Sequence, residues 1–387
     1  MDWNSVSATR AARVALAAVF VISMMVCPST YSQERVTSPD IDGLRRNPSF
    51  KQSTKASKQD LRPKREVVQF GTAQEGSRRR TTDSAQGVQS NFPNVNQPSQ
   101  FDQNAAFNYL AEICKIGPRP SGSRGMIKQQ TYIRKHFEKL GGIHKTQKFK
   151  AKSPYTGRYI DLKNILIQWH PERTKRLLIC CHHDTRPFAD ADPRDPRAKF
   201  IGANDGGSGV ALLCELGKHI ADMEGPYGVD FIFFDGEEFV IQRQRDPMFL
   251  GSTYFAQQYA QGRNRWRYEQ AILVDMVADK DLQIYLEGNS MKYAQGLTQD
   301  IWAVAKQLGV NEFIPEQKQF IRDDHLPLNE IAKIPTCDII DFDFPNPIRG
   351  NIYWHTREDK IQNCSAESLG KVGSVVLEWL RQKQRLK

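Results

Sequence analysis

The run Val229-Asp230-Phe231-Ile232-Phe233-Phe234, followed at once by Asp235-Gly236-Glu237-Glu238, decides the fold. A segment of strand length that is apolar at nearly every position belongs in a sheet covered on both faces, because a face open to water would impose alternation. The pattern recurs at 176–181, which enters His182-His183-Asp184, at 271–277, where Ile272-Leu273-Val274 meets Asp275, and at 334–341. Further strands are expected at 162–169 and 282–286. Segments with apolar residues at helical spacing fill the intervals: 105–116, 124–140 with Gly141-Gly142 as its stop, 207–223, 252–261, 291–308 and 366–384. Strands alternating with helices predict an α/β fold, a three-layer α/β/α sandwich with a mostly parallel twisted central sheet. In such sheets ligands bind beyond the carboxyl ends of the strands.

Hydrophobic residues make up 39% of the 387 and charged residues 25%, the balance of a soluble protein carrying a polar extension. The net charge is +10, and 12 Lys/Arg against 7 Asp/Glu in 34–100 supply +5 of it. That excess sits where large apolar residues are scarce, so it reads as a solvated tail and nucleic acid is not an expected partner. Residues 33–100 cannot bury enough surface to offset their ordering entropy and are expected to form a disordered basic linker. Ahead of them, Arg10 and Arg13 precede an apolar run at 14–26, and Pro28-Ser29-Thr30-Tyr31-Ser32 follows. This is the pattern of a signal peptide cut near Ser32, and the run is shorter than a membrane span. The expected organisation is a signal peptide at 1–32, the linker at 33–100 and a catalytic domain at 101–387. Export to a periplasmic or extracellular space follows, with anchoring by an uncleaved signal as the alternative. The seven cysteines show neither a Cys-x-x-Cys metal pattern nor a dense disulfide framework and are expected to be mostly buried thiols.

The chemistry gathers at the strand ends. His182, Asp205, Glu237, Glu238, Asp275 and His355 each close a strand, open a helix or stand in the loop between. Singly each has a plain explanation. Asp205 could cap a helix, His182 and His183 could be satisfied core histidines, Glu237-Glu238 a solvated loop, and His355 a stacking partner of Trp354. Together they place several ionised groups at the edge of an apolar sheet, which is costly unless something neutralises them. Histidine nitrogens and carboxylate oxygens in one place are the ligands of a zinc site.

The order His182-x-Asp184, Gly202-Ala203-Asn204-Asp205, Glu237-Glu238, Asp275 and His355 resembles the co-catalytic zinc aminopeptidase family. It is closer still to that family's glutaminyl-peptide cyclotransferase branch, over roughly 105–385. The most specific stretches are 233–238, Asp323-Asp324-His325-Leu326-Pro327 and Trp354-His355-Thr356. The resemblance implies an α/β/α sandwich and a catalytic zinc on Asp205, Glu238 and His355. Glu237 would be the general acid/base, with Asp275 and Asp323 organising the reacting groups. His182 and Asp275 would complete a second metal site bridged by Asp205, so one zinc or two are both compatible with the motifs. Trp354, Ile321 and Phe344 would line the substrate pocket. The implied substrates are peptide or protein amino termini, and the implied reaction is cyclisation of an amino-terminal glutamine with loss of ammonia.

Asp323 is the local feature that favours cyclisation, since aminopeptidases of this family usually carry serine there. Departures from the animal-type cyclases also occur. No tryptophan follows Glu237-Glu238, Val210 stands where those enzymes have the cysteine that pairs with the one at position 181, and the loop at 345–353 is longer. An aminopeptidase using the same scaffold to hydrolyse amino-terminal residues remains the alternative, and a non-enzymatic relative is a third reading that the intact ligand set opposes.

Overall fold

The structure, a computed structural model, describes residues 100–241, 246–342 and 353–385. The expected signal peptide, the expected linker apart from Gln100, and Phe344 lie outside the described residues.

In chain order the elements are α1 (Gln103–Ile116), α2 (Arg124–Lys139), β1 (Ile143–Lys152), β2 (Tyr159–Trp169), β3 (Lys175–His182), α3 (Ser208–Leu216), β4 (Gly228–Phe234), α4 (Leu250–Ala260), β5 (Arg267–Asp275), β6 (Ile284–Leu286), α5 (Gly288–Leu308), β7 (Phe313–Gln317), α6 (His325–Glu330), β8 (Thr336–Ile340) and α7 (Ala366–Arg385). Six strands form one sheet in the order β1-β2-β4-β3-β5-β8. The pairs β4–β3, β3–β5 and β5–β8 are parallel, and β1–β2 and β2–β4 are antiparallel. The mostly parallel sheet is as expected, with an antiparallel flank added at one edge.

Strand alternation sorts the core into two layers. Leu177, Ile179, Phe231, Phe233, Ile272, Val274 and Ile339 pack with buried residues of α1, α2, α3, α5 and α7. Leu178, Cys180, Ile232, Phe234, Ala271 and Leu273 point the other way and pack with Phe255 and Ala256 of α4 and Leu328 of α6. Each fully buried Phe or Ile in these layers contributes about 1.5–3 kcal/mol relative to exposure. Both faces are therefore covered, which is why β3, β4 and β5 carry apolar runs on both faces, whereas β8 alternates Thr336 and Asp338 with Cys337 and Ile339.

Two expectations need correction, and the edge strand β1 was not foreseen. The strand expected at 282–286 is not in the central sheet: β6 pairs with β7 in a separate two-stranded sheet. The helix expected at 207–223 ends at Leu216 and passes into a 3-10 turn over Gly217–His219. β1 was not expected at all, because Lys145, Lys148, Lys150 and Lys152 keep this edge strand in contact with water and remove the apolar signal.

At the end of the sheet away from the polar strand ends, a buried ion pair and its hydrogen bonds tie four strands together, β2, β3, β4 and β5. Arg176 and Asp230 are fully buried and joined through both arms of the guanidinium, with Nε donating to Asp230 Oδ2 at 3.0 Å. Gln168 and the Tyr268 hydroxyl also donate to Asp230 Oδ2, at 3.0 and 2.5 Å. Arg176 donates further to the carbonyls of Trp169 and His170, at 2.6 and 2.8 Å. Residue 228 must be glycine here, since a Cβ would fall 2.0 Å from Arg176 Nη1. Among the described residues no helix is long and apolar enough to cross a membrane, and the six cysteines described, all but Cys114 buried, are free thiols.

Candidate active site

The carboxyl ends of the parallel strands and the loops that follow them build one acidic centre. β3 delivers His182, the turn before α3 delivers Asp205, the turn after β4 delivers Glu237 and Glu238, and β5 ends on Asp275. His355 comes from the segment beyond β8. Backbone hydrogen bonds shape these turns. The amides of Asn204 and Asp205 donate to the two oxygens of Asp359 at 2.7 and 3.0 Å. Asp184 accepts from the amides of Glu237 and Glu238 at 3.2 and 2.9 Å, and Ser121 Oγ donates to Asp235 at 2.6 Å. Gly206 has φ +81°, and a Cβ there would meet the Asp184 carbonyl at 2.4 Å and the His182 ring at 3.1 Å. His355 and Met276, at φ 59° and 49°, adopt the left-handed conformation that costs a non-glycine residue energy, at the site itself.

Two groups of buried side chains share Asp205: His182, Asp205 and Asp275, and Asp205, Glu238 and His355, each with donor atoms within 4.8 Å of one another. His182 Nε2 lies 3.0 Å from Asp275 Oδ1 and 3.3 Å from Asp205 Oδ1. His355 Nε2 lies 2.8 Å from Glu238 Oε1 and 3.4 Å from Asp205 Oδ2. Asp205 Oδ2 is buried without a well-formed hydrogen bond of its own. One imidazole nitrogen and two carboxylate oxygens, buried and converging, suit a zinc ion.

Electrostatics point the same way. Burial, then the Glu238 charge, pushes Glu237 well above the ordinary carboxylate range. Burial, then Asp275, pushes Asp323 up to about 7, and burial likewise raises Asp275. Burial would raise Asp205 too, but the hydrogen bonds from His182 and His355 outweigh it and hold that carboxyl low. A centre in which several carboxyls are forced toward the neutral form is one that a bound cation stabilises. His183 plays a different part from His182. Burial pushes its imidazole down to about 4, and Nδ1 lies 2.6 Å from the Phe234 carbonyl.

A cavity of about 450 Å³ opens onto these groups. Of the expected site residues, Asp205, Glu237, Glu238, Asp275, Asp323, Ile321, Trp354 and His355 line it, and His182 stands behind Asp205 and Asp275. Glu237 belongs to neither group of candidate ligands, although it borders the same cavity. Trp354 stacks on His355 with centroids 3.9 Å apart and meets Phe342 edge-on.

Sequence reasoning missed Arg186 and Asp190. Arg186, buried beside the centre, donates through Nη1 to Glu238 Oε2 at 2.6 Å and through Nε to Asp190 Oδ1 at 2.7 Å. Asp190 Oδ1 in turn lies 3.5 Å from His355 Nδ1. Burial disfavours the Arg186 charge, yet Glu238 and Asp190 keep it firmly protonated. The density of charge in Asp184-Thr185-Arg186-Pro187-Phe188-Ala189-Asp190, just after an apolar strand, was the available signal.

A doubly wound sheet with overlapping His/Asp/Glu groups at its carboxyl edge defines the zinc-aminopeptidase class of metalloenzymes. Comparison with known proteins narrows it: the profile of Peptidase family M28 matches residues 164–380, and the chain belongs to that family. It falls in the glutaminyl-peptide cyclotransferase branch and is an enzyme of that type. The chain is similar to the glutaminyl cyclase of Fimbriiglobus ruber, with 35% identity, a TM-score of 0.69, and 77% of this chain and 99% of that one covered. It is 24% identical over 359 residues to the glutaminyl-peptide cyclotransferase of Bos taurus, covering 81% of this chain and 94% of the bovine one. A Zn-dependent exopeptidase from Parabacteroides distasonis is also similar, with 32% identity, a TM-score of 0.67, and 73% and 98% covered.

Proposed function

We propose that this enzyme converts the amino-terminal glutamine of peptides and proteins to pyroglutamate, with release of ammonia, using zinc held by Asp205, Glu238 and His355. The observation that carries this reading is the trio Glu237, Asp275 and Asp323, which line the cavity as buried or half-buried carboxyls with raised proton affinity. Zinc bound at the ligand group would supply Lewis-acid polarisation of an amide oxygen. In the reaction the α-amino nitrogen forms a bond to the side-chain amide carbon, and the bond from that carbon to the amide nitrogen breaks. Glu237 accepts the proton that the amine sheds and returns one to the departing nitrogen, a task suited to a carboxyl whose affinity for protons is raised. Asp275 and Asp323 hold the amine and the leaving group by hydrogen bonds. Trp354 and Ile321 enclose the glutamine side chain in its folded form, which supports an intramolecular attack.

A second reading, amino-terminal hydrolysis, is favoured by one observation: both overlapping ligand groups are complete, with Asp205 placed between them. Asp323 separates the two. Serine at 323 cannot hold a proton and a charge as a carboxyl does, so Asp323→Ser is expected to lower the rate of ammonia release from a glutamine-initiated peptide by more than tenfold, about 1.4 kcal/mol of barrier. Ammonia release unchanged in that variant would remove Asp323 from the mechanism.

A further inference from the structure

The cavity is lined by two arginines that differ in their commitments. Arg186 is buried and engaged by Glu238 and Asp190. Arg322 is exposed and makes no ion pair or hydrogen bond through its side chain among the described residues. It is nonetheless held in place. The Ile321 amide donates to Glu287 Oε1 at 2.8 Å, Asn289 Nδ2 donates to the Ile321 carbonyl at 2.7 Å, and the Asp324 amide donates to Asp323 Oδ1 at 2.5 Å. The Gly288 amide donates to the Gln319 carbonyl at 2.6 Å. Beside Arg322, Phe320 packs over Gly288 yet stays 66% exposed on the same cavity wall.

We propose that Arg322 reads the substrate just past its amino-terminal residue and selects a carboxylate there. The inference rests on the cyclase reading, in which the terminal glutamine reaches the carboxyls at the cavity's inner end and the peptide leaves through its mouth. Arg322 directly follows Ile321 and precedes Asp323, both on that wall, so one Cα–Cα step of about 3.8 Å separates it from each. An uncommitted guanidinium on a pinned loop offers two parallel donors to a carboxylate, and Phe320 gives the adjoining part of the peptide an apolar surface. The carboxylate could belong to an acidic side chain or to the carboxyl terminus of a short peptide.

Ammonia release by the full-length zinc-loaded protein would be followed with Gln-Glu-amide, Gln-Lys-amide, Gln-Ala-amide and Gln-Ala free acid. Ratios of kcat/KM within one protein preparation cancel the active fraction. The wild type is expected to favour Gln-Glu-amide over Gln-Lys-amide by about threefold to tenfold, mostly in KM, as for an exposed charge pair. Arg322→Gln should bring the ratio close to one and Arg322→Glu should invert it, and about 0.5 M salt should bring the wild-type and Arg322→Glu ratios toward one. Preference for Gln-Ala free acid over its amide, lost in both variants, would support the same contact made by a terminal carboxylate. Equal ratios in all three proteins would overturn the Arg322 proposal while leaving cyclisation intact. No ammonia from any of the four peptides would overturn the cyclase reading and this proposal with it.

Discussion

Asp205 turns one oxygen toward His182 and the other toward His355, and this single carboxylate makes two candidate ligand groups out of five residues. The division of labour around it is testable residue by residue. His355→Ala removes a proposed ligand and should lose tightly held zinc, whereas Glu237→Ala should retain the metal and lose activity, as read by elemental analysis beside an ammonia assay. Loss of zinc from Glu237→Ala would show that Glu237 is a ligand after all. Asp190→Asn removes the carboxylate that faces His355 Nδ1, and zinc affinity measured by chelator competition should fall by about 10- to 100-fold. Four of the five candidate ligand positions were legible in the sequence because each stands where an apolar strand ends or a glycine-rich turn enters a helix, and His355 was legible through the Trp354-His355-Thr356 motif. Arg186 and Asp190 were not, because their partners Glu238 and His355 lie 52 and 165 residues further along the chain, and only the folded loop brings them together.

The strands buried on both faces wrote themselves into the sequence as largely apolar runs in β3, β4 and β5, and these, with β8, were expected near their true positions. Their order in the sheet and the antiparallel turn of β2 were not, since side-chain pattern reports burial and not neighbours. β1 escaped for the opposite reason: its lysines protect an exposed edge and erase the periodicity. The Arg176–Asp230 pair was equally hidden, because a charged residue at each of two strand starts reads as a boundary. Once paired inside the sheet it becomes a liability if broken. Arg176→Met would leave Asp230 buried and uncompensated, and urea unfolding should report a loss of about 3–5 kcal/mol. A loss below 1 kcal/mol would mean that water reaches the pair.

For the molecule as a whole, the excess positive charge lies mainly ahead of residue 101, and the ligand groups and core lie beyond it. The fragment 101–387 is therefore expected to keep both zinc and activity, with kcat/KM within about twofold of the full chain, since every residue that lines the described cavity lies beyond 101. Removal of zinc by a chelator should lower the melting temperature, because a ligand bound only by the folded state stabilises it by mass action, and re-addition of zinc should restore it. The central claim concerns the reaction. It is tested most directly by incubating the zinc-loaded protein with Gln-Ala-Ala and Leu-Ala-Ala peptides and following the products by mass. The account predicts that the glutamine peptide stays whole and loses one ammonia, with the leucine peptide unchanged. Free leucine or free glutamine, with no pyroglutamate, would contradict it and identify an aminopeptidase.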